Sequence, residues 1–261
     1  MTKDLNKKIA DIQYNCLNLP EKVQFEGGNS ISYLYAADGT KLRTTYKTGN
    51  ATTITDYCGN AIYENGSLKM LLNESGYYSF QDNKFYFYLK DHQGNIRVVA
   101  DEDGKVEEVN DYYPFGGLMF NAGDDTQPYK YNGKELDQKG GLDWYDYGAR
   151  YYDAAIGRWH AVDPMVEMYY SESPYVYCVN NFVNKVDPTG CFSTKFGAWL
   201  YKLFNGGDQI LKDVGGEYFV STQIVHSDDE VEVVVNRKFD WDGRNTGRNL
   251  AIEKQWDAYI A

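Results

Sequence analysis

At 261 residues, with 43% hydrophobic side chains and only 6 prolines, the chain can bury one large core or two modest ones, and general disorder is excluded. Acidic side chains number 38 against 26 basic ones, and the net charge of −12 argues against phosphate-backbone binding as the main task. The unusual figures are 25 tyrosines and 25 glycines: large rings with a polar tip suit half-buried strand faces, and frequent glycine suits short turns, so the composition points to β structure.

The opening Met1-Thr2-Lys3-Asp4-Leu5-Asn6-Lys7-Lys8 has no apolar run after its lysines, so no signal peptide is expected. No stretch approaches the roughly 18 apolar residues of a membrane helix. Residues 1–110 then read as short strands joined by glycine-containing turns. Ile31–Tyr35 leads through Asp38-Gly39 into Lys41–Tyr46. Ala61–Tyr63 leads through Asn65-Gly66 into Leu68–Leu71, and Phe85–Tyr88 leads through Gly94-Asn95 into Ile96–Val99. Each unit has the strand, turn, strand pattern of a hairpin, and their recurrence suggests a repetitive β-array. The expectation is one continuous antiparallel sheet through residue 190, with tyrosines alternating between its faces.

Residues 111–190 stay aromatic but lose regular alternation, which predicts short strands and turns with one helical turn near Pro164–Tyr169. From 191 to 261 the pattern changes again. Ser193 can cap a helix carrying Phe196, Trp199, Leu200, Leu203 and Phe204 and ending at Gly206-Gly207. Glu217–His226 and Val231–Asp240 alternate around the acidic turn Ser227-Asp228-Asp229-Glu230 as a hairpin would, and Asn249 can cap a last helix with Ile252, Trp256, Tyr259 and Ile260. The predicted fold is mainly β: an antiparallel array over 1–110, an irregular aromatic-rich segment over 111–190, and a small α+β tail over 191–261.

Cys16, Cys58, Cys178 and Cys191 show no Cys-x-x-Cys spacing and have no histidine nearby, so no metal site, disulfide framework or other cofactor is expected. Cys191 lacks an activating neighbour in sequence and reads as a structural thiol rather than a nucleophile. In the tail, His226 stands alone on a predicted strand with Asp240, Asp242, Arg244 and Arg248 nearby, a set that could bind a phosphate or a metal, although such an Asp- and Arg-bearing loop is usually just solvated.

The middle segment carries a resemblance. Tyr112-Tyr113-Pro114-Phe115-Gly116, Tyr131-Asn132-Gly133-Lys134-Glu135, Tyr145-Asp146-Tyr147-Gly148-Ala149-Arg150-Tyr151-Tyr152-Asp153, Gly157-Arg158-Trp159 and Asp163-Pro164 follow one another in order. Ser173-Pro174-Tyr175-Val176-Tyr177-Cys178-Val179-Asn180-Asn181 and Asp187-Pro188-Thr189-Gly190 close the run. Together they resemble the RHS repeat-associated core domain, the preceding strand-turn units resemble YD repeats, and the opening residues resemble Bacteroides-type versions. The resemblance covers about residues 1–190 and implies a β-shell around a C-terminal toxic cargo that begins after the Asp-Pro-x-Gly motif. It implies secreted or cell-surface parents used in interbacterial competition, with secretion machinery and an immunity protein for the tail as partners. With so few repeats, the chain resembles a fragment, cassette or remnant of such a parent.

In several such proteins a pair of aspartates cuts the chain after that motif. Asp163 and Asp187, each opening an Asp-Pro step, are the matching residues here. Two adjacent carboxylates share a proton, so that one activates water and the other donates to the leaving group. Arg158 is the candidate to orient one of them, and the junction is Gly190-Cys191. The chain departs from the cleaving pattern at Met165-Val166, where a glycine is missing, and at Cys191, where leucine is usual. Asp-Pro is also a common turn opener. The favoured reading is a non-enzymatic scaffold presenting a variable tail; the rivals are an aspartyl autoprocessing core that releases the tail, and a glycan-binding surface module using the Tyr and Trp rings.

Overall fold

The computed structural model describes residues 1–123, 127–168 and 171–191, together with three strands of the C-terminal part. Met1–Ser193 and Thr194–Ala261 are two separate compact units.

The first unit is built on a 12-stranded antiparallel meander in strict chain order. Its first strands are β1 (Ile9–Tyr14), β2 (Pro20–Phe25), β3 (Ser30–Tyr35), β4 (Lys41–Thr48), β5 (Ala51–Cys58) and β6 (Ala61–Glu64). The rest are β7 (Ser67–Asn73), β8 (Gly76–Ser79), β9 (Lys84–Lys90), β10 (Ile96–Asp101), β11 (Val106–Tyr112) and β12 (Leu118–Gly123). All three hairpins read from the sequence are present, and the chemistry of their turns explains the register. Asn65 and Gly66 both have positive φ, 50° and 81°, between the paired Glu64 and Ser67, the two-residue turn that matches strand twist. The wider loops share another device: Asp91 Oδ1 accepts the amides of Gln93 and Asn95, and Asp101 Oδ1 those of Asp103 and Lys105.

Alternation along β9 is plain: Tyr86 is buried and Tyr88 half-buried on one face, while Phe85, Phe87 and Leu89 are exposed on the other. The inward face of β1–β3 supplies Ile9, Ile12, Val23, Phe25, Ile31 and Tyr33, and that of the later strands Ile62, Met70, Tyr77, Tyr86, Ile96 and Val99. Tyr77 and Tyr86 stack at 4.8 Å between centroids, a contact worth about 0.5–1.5 kcal/mol beyond burial.

Contrary to the expected continuous sheet through residue 190, the meander ends with β12. A second sheet of four short strands follows: β13 (Glu135–Asp137), β14 (Trp144–Asp146), β15 (Tyr151–Asp153) and β16 (Arg158–Trp159). The physical reason lies in burial. Trp144 and Tyr145 are both buried, as are Tyr151, Tyr152 and Asp153, so both faces of this sheet are covered. A strand with two buried faces shows runs of aromatics instead of alternation. Trp144 and Tyr151 join the β1–β3 core, while Tyr145, Tyr147, Tyr152, Trp159 and Tyr177 form a second aromatic core. The expected helical turn is a single short turn, Val166–Met168.

Polar links fix one sheet against the other. Lys41 Nζ lies 2.8 Å from Glu135 and 2.7 Å from Asp146, and the Tyr33 hydroxyl donates to Asp137 at 2.8 Å. Such a cation holding two mostly buried carboxylates contributes mainly by being indispensable once they are buried.

The C-terminal unit contains a three-stranded antiparallel sheet, β17 (Asp208–Lys212), β18 (Tyr218–Ile224) and β19 (Val233–Phe239). The predicted hairpin corresponds to β18 and β19, and β17 had no counterpart in the sequence reading. The two predicted helices of the tail, and the set around His226, lie outside the described residues.

Candidate functional site

The Asp187-Pro188-Thr189-Gly190 turn packs on the turn that precedes β15. The Ala149 amide donates to Thr189 O at 3.1 Å, and Gly190 has φ +80° with Arg150 N only 3.1 Å from where a Cβ would stand. Glycine is therefore required there twice, for conformation and for space. Asp187, 1% exposed, gathers the turn: its Oδ1 accepts the amides of Thr189 at 3.1 Å, Gly190 at 2.8 Å and Cys191 at 3.2 Å.

Arg150 organises the rest. Its Nε donates to the carbonyl oxygen of Gly190 and its Nη1 to Pro174 O at 3.1 Å. Its Nη2 lies 2.7 Å from Asp163 Oδ2 and 3.6 Å from Asp187 Oδ2. One nitrogen thus touches both carboxylates, so Asp163 and Asp187 are neighbours. The guanidinium also stacks over Trp159 at 4.3 Å, a cation–π contact in a dry setting. Asp163 is held on the other side by the Met165 amide on its Oδ1, 2.8 Å, and its own amide donates to Pro174 O.

Burial pushes the Asp163 carboxyl above the usual carboxylate range, with the Arg150 charge acting against that shift. Burial likewise lowers Arg150 from its ordinary value, against the pull of Asp163 and Asp187. A cavity of about 20 Å³, lined in part by Arg150, Asp163, Pro174 and Asp187, opens beside the pair. That is space for about one water molecule. The peptide between Gly190 and Cys191 therefore has its carbonyl oxygen held by a cation and its nitrogen bonded to one carboxylate, and the water-sized space lies beside the carboxylates.

Four of the five residues singled out in the sequence meet here: Asp163, Asp187, Gly190 and Cys191. Arg158 does not. It donates to Asn180 Oδ1 at 2.8 Å and to Gly157 O at 3.1 Å, because it alternates on β16 with the buried Trp159 and so faces away. The carboxylate contact expected of Arg158 is made by Arg150. The signal for Arg150 was a lone cation between buried aromatics, which has to find a partner. Cys191 is buried, and burial, reinforced by the Asp187 charge, pushes its thiol up to about 11, so it stays protonated near neutrality. Among the described residues no cluster could hold a metal, and no helix is long and apolar enough to cross a membrane.

No family model matches the chain. Among curated proteins it is similar to salivary gland surface protein 1 of Aedes aegypti, 41% identical over 114 residues, covering 42% of this chain and 3% of that one. It is 39% identical over 72 residues to toxin subunit YenC2 of Yersinia entomophaga, covering 26% of this chain and 7% of the relative. Among solved structures it resembles TcdB2-TccC3-TEV with a TM-score of 0.58 and 22% identity, over 70% of this chain and 10% of the other. A Photorhabdus luminescens Tc holotoxin pore aligns with a TM-score of 0.57 and 21% identity, over 71% of this chain and 10% of that one. A second toxin subunit of Yersinia entomophaga, YenC1, is 36% identical over 78 residues. The chain spans less than a tenth of the length of the curated relatives it matches, and the likeness to the solved structures is one of fold.

Proposed function

We propose that this chain is the C-terminal part of a toxin-type RHS protein whose core cuts its own backbone between Gly190 and Cys191, freeing the segment that begins at Cys191. The observation that carries the reading is the Arg150 guanidinium on the Gly190 carbonyl, with Asp163 and Asp187 on the same cation. A water molecule activated at the carboxylate pair adds its oxygen to the Gly190 carbon. Arg150 stabilises the charge that develops on the carbonyl oxygen, as preorganised donors do. The carboxylate pair takes the water's proton and supplies one to the Cys191 nitrogen as the C–N bond breaks. Asp163, raised by burial, is suited to carry the proton, and Asp187 is suited to accept, with its Oδ1 already on the leaving nitrogen.

In this reading the core scaffolds and presents a variable tail, and interbacterial competition, a dedicated secretion route and an immunity protein are its context. A glycan-binding role has less support, because the rings it would need, Trp144, Tyr145, Tyr152, Trp159 and Tyr177, are packed inside.

Expression of the full chain tests the proposal directly. The expected products are two fragments, with Cys191 at the N-terminus of the smaller, and a single intact chain for Asp187→Asn and for Asp163→Asn. An intact wild-type chain that is folded would leave only the scaffold reading.

A further inference from the structure

Away from the cleavage site, three reactive side chains are packed together without access to solvent. Glu108 and Asn110 lie two residues apart on β11 and so share a face, and both are 0% exposed, as is Lys130. Lys130 Nζ lies 2.6 Å from Glu108 Oε1. The Asn110 side-chain amide donates to that same oxygen, and its own Oδ1 is buried with no hydrogen-bond partner among the described residues. Backbone contacts set this proximity: the Ile96 amide donates to Lys130 O at 3.1 Å, and Ile96 O accepts from Asn110 Nδ2 at 3.3 Å. One residue of β10 therefore holds both the amine-bearing segment and the carboxamide.

We propose that Lys130 and Asn110 join in an intramolecular isopeptide bond, with Glu108 as the proton carrier. One oxygen of Glu108 meets both Lys130 Nζ and Asn110 Nδ2, so a proton can pass through it from the amine to the amide nitrogen. The amine nitrogen, having passed one proton to Glu108, attacks Asn110 Cγ. The new N–C bond forms, the Cγ–Nδ2 bond breaks, Glu108 gives its proton to the departing nitrogen, which leaves as ammonia, and Glu108 then takes the extra proton from the new amide nitrogen. No electron changes hands and no co-reactant is needed. Water, which would compete, is excluded by the burial of all three groups.

Two comparisons within the molecule sharpen the assignment. Lys41 has Glu135 and Asp146 as partners but no carboxamide among its described contacts, so no bond is expected there. Gln127 also touches Glu108, at 3.3 Å, but its carboxamide is already engaged: Oε1 accepts the Tyr129 amide at 2.6 Å and Nε2 donates to Tyr129 O at 2.7 Å. Asn110 Nδ2 lies closer to Glu108 Oε1 than Gln127 Nε2 does, so its nitrogen is the one Glu108 is placed to protonate as it departs.

The test is the mass of the unfolded wild-type chain, or of its N-terminal fragment if cleavage has occurred. It should fall short of the sequence mass by one ammonia molecule. Protease digestion should give a branched peptide joining residues 110 and 130, and Glu108→Gln and Lys130→Met should restore the full mass. The wild-type measurement does not depend on whether the variants fold. A full-mass wild-type chain overturns the proposal. So does an ammonia loss with no branched peptide, as a succinimide at Asn65-Gly66 would give, or a branch from Lys130 to Gln127. Asp187→Asn should keep the cross-link, which separates this inference from chain cutting.

Discussion

Arg150 donates from Nε to the carbonyl oxygen of Gly190, forty residues further along the chain, in the same buried site where its Nη2 meets Asp163. A single side chain thereby connects the Gly190–Cys191 bond with the two carboxylates that we propose cut it. Lysine would keep the charge but not the fork, because its three donors radiate from one atom and cannot span Gly190, Pro174 and Asp163 together.

Arg150→Lys is therefore expected to slow cleavage by about 10²–10³-fold, the usual loss for one donor at a developing oxyanion. The measure is the fraction of intact chain against time after synthesis. Cleavage at the wild-type rate in a folded Arg150→Lys chain would remove Arg150 from the mechanism.

Gly190→Ala probes geometry rather than charge. Its φ of +80° is strained for alanine, and the new Cβ would stand 3.3 Å from Tyr147 Cβ as well as near the Arg150 amide. A conformational cost of about 1–3 kcal/mol is expected, with the carbonyl displaced from Arg150. Cleavage should drop while the thermal transition of the core falls by only a few degrees. Undiminished cleavage would show that the turn tolerates a shift of its carbonyl.

The hairpins of residues 31–46, 61–71 and 85–99 were legible because their strands alternate and their turns contain Asp-Gly, Asn-Gly or Asp-x-x-Gly, both local signals. The four-stranded sheet was not. Trp144, Tyr145, Tyr151 and Tyr152 are covered on both faces, which erases the period of two, and their partners come from strands a hundred residues earlier, as Tyr33 with Tyr151 shows. Asp163 and Asp187 were readable as a pair through their matched Asp-Pro steps. Arg150 was not, since Arg158 stands nearer in sequence and only the alternation on β16 turns it away.

Acidity should favour cleavage. Burial raises Asp163 above the ordinary value of 3.8, so its proton, needed for the leaving nitrogen, is present at low pH and lost as pH rises through the raised value. Intact chain refolded from denaturant into buffers of graded pH should be cut faster under mildly acidic conditions than near pH ~8. A rate that climbs steadily with pH would assign the limiting step to a group other than Asp163.

Lys41 tests what holds the two sheets together. Its ammonium bridges Glu135 and Asp146, and the Tyr57 hydroxyl donates to the other oxygen of Glu135 at 2.6 Å. For Asp146, burial works to raise the carboxyl, and the charge and hydrogen bond of Lys41 overcome it, leaving the group below its ordinary value of 3.8. Because the folded value is the lower one, this contribution is present above the unfolded value and is lost as pH falls through the folded one. Lys41→Met removes the cation and leaves two mostly buried carboxylates facing each other. The expected cost is about 3–5 kcal/mol, the range for breaking a buried pair from one side. Part of it should return on acidification, because protonating Asp146 relieves the uncompensated charge. Denaturant melts of wild type and Lys41→Met at neutral and at mildly acidic pH measure both effects. A gap between them that stays constant across that range would mean that the lysine acts through the packing of its stem, and not through its charge.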